Sequence, residues 1–148
     1  MILREQGLTE IHERLKADRV ILGLKTFKRT PTAPVREQDL PCVFMIEGTD
    51  NVIAHSKRSR TGYPCKRVLE VVLELVTTKD IDIKQLYNEV RKSVFKKRGG
   101  EVPPVYEPIL AQNTFINENR TEGPTGYGLQ DVLGMRLVLD LVYTDNGF

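Results

Sequence analysis

Proton-relay chemistry needs a base, a nucleophile and an acid that one fold can bring together. The 148-residue chain offers two histidines, His12 and His55, and two cysteines, Cys42 and Cys65. His12 falls on the polar side of a helical pattern, which predicts a solvated side chain. His55 ends a strand pattern just before a basic loop, and no neighbour in the sequence orients it as a base. Each cysteine sits in or beside an apolar, strand-like run, a setting that predicts buried, reduced thiols. A disulfide between them would require their two strands to be neighbours.

Metal and phosphate chemistry find little more to work with. Asp80 and Asp82 are close in sequence, but Asp82 reads as a helix cap. Asp39 and Asp50 flank a strand pattern and read as turn residues. No CxxC, HxxxH, HExxH or calcium-loop spacing occurs. The glycines at 123, 126 and 128 lack the GxxxxGK[ST] spacing of a phosphate cradle, and no helix is predicted to follow them. They read as a hairpin loop. The expectation is a protein without catalytic residues, cofactor or metal, one that works by assembling with other proteins.

Two basic clusters remain. Lys57, Arg58, Arg60, Lys66 and Arg67 lie in a stretch without an acid, and Arg91, Lys92, Lys96, Lys97 and Arg98 gather further on. Lys57, Arg58, Arg60, Lys66, Arg67, Lys96, Lys97 and Arg98 are the candidate contacts to a phosphate backbone or an acidic protein surface. A solvated loop and a cationic helix end also account for them with no partner. The net charge of +2 gives no overall pull toward nucleic acid. Tyr63 and Phe95 are the lone aromatics beside the clusters, too few for a base-stacking platform.

The elements that must position these residues follow from periodicity. Residues 8–17 read as an amphipathic helix with Leu8, Ile11 and Leu15 on one face. Residues 20–27 read as a strand. Three prolines then make residues 30–41 an extended polar connection. Residues 42–47 and 52–55 read as two strands joined by a turn at Gly48–Asn51. Residues 65–78 read as one long strand, with Leu69, Val71, Leu73 and Leu75 on one face. A second helix begins at the Asp82 cap and carries Ile83, Leu86, Tyr87, Val90 and Val94 as its apolar stripe. Residues 114–119 read as a polar strand. The last strand alternates cleanly, with Leu133, Met135, Leu137, Leu139, Leu141 and Tyr143 opposite Arg136 and Asp140.

Hydrophobic residues make up 40% and charged residues 28% of the chain, a globular balance that can support a core of its own. No apolar run is long enough to span a membrane. The first residues lack the pattern of a signal peptide, so cytoplasmic synthesis is expected. The predicted fold class is α+β: a mostly antiparallel sheet with two helices packed on one face. It forms a single domain over residues 1–148, with long polar loops near 30–41, 56–64, 99–113 and 120–131.

Four phrases extend this reading: LTEIHERLKA, RTPTAPVREQDLPCVFMIEGTD, KRVLEVVLELVT, and RTEGPTGYG followed by VLGMRLVLDLVYTD. Their order and the chain length resemble the tail-terminator (tail-completion) proteins of long-tailed bacteriophages. The resemblance covers nearly the whole chain and includes no catalytic motif. It implies a subunit that joins copies of itself in a sixfold ring on the last ring of the tail tube. Such a ring stops tube polymerisation and offers a surface to the head-completion or connector protein. Genomic DNA passes through its lumen without specific recognition. The implied location is the head-proximal end of the virion tail, with host cytoplasm during assembly. Residues 30–41 and 101–112 would then be inter-subunit arms, and the basic loop would dock on protein. Competing readings are another neck, head-completion or tube-like virion protein, and a nucleic-acid-binding module.

Overall fold

The computed structural model describes residues 3–29, 36–57, 60–97, 102–110, 114–127 and 129–147. The chain runs α1 (Leu3–Ala17), α2 (Arg19–Leu22), β1 (Thr26–Arg29), a 3-10 turn (Glu37–Asp39), β2 (Cys42–His55) and β3 (Cys65–Thr78). It continues through α3 (Ile83–Phe95), β4 (Phe115–Tyr127) and β5 (Leu129–Asp145). The strands form one sheet in the order β1-β2-β3-β5-β4. Among the described residues, β1 and β2 pair in parallel and the other three strand pairings are antiparallel. The fold class is α+β, as predicted.

The alternation in β3 and β5 decides where the core lies. Leu69, Val71, Leu73 and Leu75 meet Met135, Leu137, Leu139, Leu141 and Tyr143 on one face. Leu8, Ile11 and Leu15 of α1 close over them together with Ile83, Tyr87, Val90 and Val94 of α3. A second, smaller cluster of Leu40, Cys42, Phe44, Val76 and Val132 forms apart from it, drawing on the opposite face of β2 and β3. The Asp82 carboxylate caps α3 by accepting from the backbone N–H groups of Lys84 and Gln85. That satisfies two of the donors a helix start otherwise leaves open. At Gly7, α1 comes so close to the sheet that an added Cβ would sit 2.9 Å from Leu141 Cδ1.

Four sequence expectations need correction. Residues 20–27 do not form one strand: the first part is α2, and the strand starts at Thr26. The apolar residues that suggested a strand, Val20 and Ile21, are 90% and 83% exposed. Residues 42–55 are not a hairpin but the continuous β2. One extra residue between Glu47 and Asp50, against Val71 and Leu69 of β3, absorbs the turn-like stretch as a bulge. The expected loop at 120–131 lies instead within β4 and β5, again with bulges. Gly123 permits this: its φ is +90°, and a Cβ there would stand 2.9 Å from the Gly134 carbonyl oxygen. His12 is not freely solvated, since its ring stacks on Phe27 with centroids 4.8 Å apart.

The remaining expected loops are covered in part. Residues 30–35, 58–59, 98–101 and 111–113 lie outside the described residues, and with them Arg58, Arg98 and the Gly99–Gly100 helix stop.

Candidate functional site

Cys42 and Cys65 are free and buried. Their strands are neighbours, yet Cys42 pairs with Val76 and Cys65 with His55, at opposite ends of the β2–β3 ladder. No disulfide can bridge that separation. Burial, with Asp39 and Glu74 adding to it, pushes the Cys42 thiol from about 9 up to about 12. A neutral thiol is a poor nucleophile and a poor metal ligand.

Strand geometry splits the first basic cluster. Neighbouring residues of a strand face opposite ways, so Lys66 and Arg67 part company. Arg67 Nε donates to Asp145 at 2.8 Å, and its Nη1 lies 3.7 Å from Asp50. Arg67 is thereby absorbed into a local network. Asp50 also accepts from Arg4 at 3.0 Å and from the Tyr143 hydroxyl at 2.5 Å. Burial first, and then this bond to Asp50, drive the Tyr143 hydroxyl above its ordinary range. Lys57, Arg60 and Lys66 are exposed, and no acid pairs with them among the described residues.

The second cluster is largely neutralised. Arg91 pairs with Glu118, Lys92 with Glu89 at 3.7 Å, and Lys96 with Asp18 at 3.2 Å. Lys97 is exposed, and its backbone N–H donates to the Val105 carbonyl at 2.7 Å. Of the candidate cations, then, Lys57, Arg60, Lys66 and Lys97 present charge outward, whereas Arg67 and Lys96 hold the fold.

A feature that sequence reasoning missed lies where α3 ends. Arg14, near the end of α1, is 3% exposed. Its guanidinium donates to the carbonyl oxygens of Val94, Glu107 and Ile109, at 2.9 to 3.0 Å. Glu10 stands 3.4 Å from its Nε. Five donors in a rigid fork let one side chain satisfy carbonyls from several segments. Residues 102–110 are thus tied down from beneath, while Val102, Val105, Tyr106 and Ile109 face solvent. A charged residue at helical spacing reads as surface, so nothing in the local pattern marks this role.

Beside this arm is a groove of about 490 Å³ between α3 and the start of β4. Phe95, Tyr106, Pro108 and Ile116 give it apolar walls, and Arg91, Glu107 and Glu118 give it charged ones. An apolar trough on a firmly held backbone, with exposed apolar side chains around it, is the anatomy of a docking surface. No group of three or more His, Cys, Asp or Glu capable of holding a metal occurs among the described residues.

No family model matches the sequence, and no curated protein matches it. Among solved structures, the fold is similar to a chain from the virion of a native gene transfer agent particle. The TM-score is 0.50 at 13% identity, over 91% of this chain and 92% of that one.

Proposed function

We propose that this protein is a structural virion component that closes the end of a phage-type tail tube. It acts as a ring of identical subunits, stops tube growth and presents a surface for head attachment. The observation that carries this reading is the likeness in fold to a gene transfer agent virion chain, which extends over nine-tenths of both chains. The resemblance of its sequence phrases to tail terminators supports it. In this reading the protein has no catalytic activity, and its partners are its own copies, the tail tube protein and a head-completion protein. DNA passes through the lumen without being recognised. The apolar arm at residues 102–110 and its groove belong to protein contacts.

The test is assembly. Native mass spectrometry and electron microscopy of the purified chain, alone and with tail tubes, should reveal rings free in solution or at tube ends. Tubes grown in its presence should stop at a fixed length. A chain found instead along the tube wall would be a tube-like subunit. One that binds only an isolated head connector would be another neck protein. The exposed Lys57, Arg60 and Lys66 favour a nucleic-acid module as the second reading. That reading requires DNA affinity that falls steeply with salt.

A further inference from the structure

The sheet ends in two edges, and both leave backbone unpaired among the described residues. β1 covers only residues 42–45 of β2, so residues 46–55 find partners in β3 alone. β4 is the opposite edge. Past the short bridge between Ile109 and Phe115, residues 117–121 pair as a strand with β5 alone among the described residues, while the side chains of Glu118 and Thr121 meet Arg91 and Tyr87 of α3. Such rows of free N–H and C=O groups are ready to accept another strand.

The two edges differ in ways that fit each other. Next to the β2 edge, Ile53 is 55% exposed, and the cations Lys57, Arg60 and Lys66 lie just beyond. The β4 edge borders the apolar groove, where Tyr106 is 53% exposed. No cation pairs with Glu107, which lines that groove, among the described residues; the other lining charges are matched, Arg91 by Glu118 and Lys92 by Glu89. One edge thus offers apolar side chains beside positive charge, and the other an apolar trough whose one unpaired lining charge, among the described residues, is Glu107. They lie at opposite ends of the strand order within the same chain.

We propose that these edges meet between copies: residues 51–55 of β2 in one subunit add to residues 117–121 of β4 in the next, with Ile53 entering the groove beside Tyr106. The contact is heterologous, so each added copy leaves one edge of either kind open, and the series ends only when a ring closes. This inference rests on the proposed ring and assigns the surfaces that build it.

Two variants test it, Ile53→Asp and Tyr106→Asp. Both side chains are more than half exposed, so each variant should fold, which circular dichroism and thermal melting will verify. Mass is then measured for the wild type, for each variant and for their equimolar mixture, with and without tail tubes. The wild type is expected to assemble, and each variant alone to remain monomeric. The mixture is expected to give a one-to-one pair and nothing larger, because only one competent combination of edges remains. If either variant assembles like the wild type, or the mixture forms no pair, the edge assignment is overturned while the ring stands. If the wild type itself never assembles, even on tube ends, the ring reading falls and the edge assignment with it.

Discussion

Arg14 Nη1 donates to the carbonyl oxygen of Glu107 at 3.0 Å, joining residues 93 positions apart. The same nitrogen reaches Val94, at the end of α3, and Nη2 reaches Ile109. One buried guanidinium therefore fixes α1, α3 and the arm to each other. Removing it leaves three carbonyl oxygens without that donor. Each group left unsatisfied in a buried place costs about 1–3 kcal/mol. Arg14→Met should lower unfolding stability by about 2–4 kcal/mol, with some loss offset by water reaching the arm. Arg14→Lys should recover little, since one ammonium cannot span three acceptors in a fixed fork. Denaturant unfolding measures the loss. Hydrogen exchange should find it concentrated in residues 102–110.

Asp82 provides a second, more local prediction. Its carboxylate accepts two backbone N–H groups at the start of α3. Asp82→Ala should destabilise the protein by about 1 kcal/mol, and Asp82→Asn by less, because the amide oxygen still accepts. The comparison of the two variants by urea denaturation separates the cap from any effect of charge.

The ease of reading Asp82, and the difficulty of reading Arg14, have one cause. A cap acts within three residues, and the stripe of α3 or the alternation of β5 repeats within a few more. These were legible, as were β3 to its last residue and the packing of two helices on one face. Contacts between distant segments left no such local trace. Gly48, Asp50 and Asn51 have turn chemistry, yet Arg4 and Tyr143 hold Asp50 inside β2 from 46 and 93 residues away. Gly123 and Pro124 likewise signal a loop, but pairing with β5 carries β4 through them as a bulge. At Val20 and Ile21 the error ran the other way. Apolar pattern implies burial, and these residues are exposed on the isolated chain. Of the candidate cations, Arg67 and Lys96 were drawn inward by acids, Asp145 and Asp18, that the sequence places 78 residues away in each case.

Gly7 tests how tightly α1 is seated. Alanine at a helical glycine normally gains about 0.5–1 kcal/mol. Here the new methyl would meet Leu141 Cδ1 at 2.9 Å and Thr114 Cγ2 at 3.1 Å. Leu141 and Thr114 are both wholly buried, with little room to yield. Overpacking should outweigh the helical gain, so Gly7→Ala should lower stability by about 1 kcal/mol. An unchanged or higher melting temperature would mean that α1 can shift away from the sheet.

Cys42 and Tyr143 together predict how the protein responds to alkali. Both groups are held protonated in the folded state, the thiol up to about 12. In the unfolded chain they would titrate near their ordinary values, close to 9 for the thiol and 10 for the phenol. For a raised group, the stabilisation is complete below its unfolded value and is lost as pH climbs toward its folded one. Stability should therefore hold up to about pH 9 and decline from there toward 12. Cys42→Ala should flatten the early part of that decline. Tyr143→Phe should flatten the later part, at a cost of about 1–2 kcal/mol at neutral pH from the lost bond to Asp50. In an ultraviolet titration, Tyr143 should ionise above the ordinary tyrosine range, and that component should vanish in Tyr143→Phe. Thiol reagents should label neither cysteine until the protein unfolds, since both are buried. Prompt labelling of Cys42 near neutral pH would show that the smaller cluster around Leu40 and Phe44 opens readily, and the alkaline decline attributed to that thiol would then disappear.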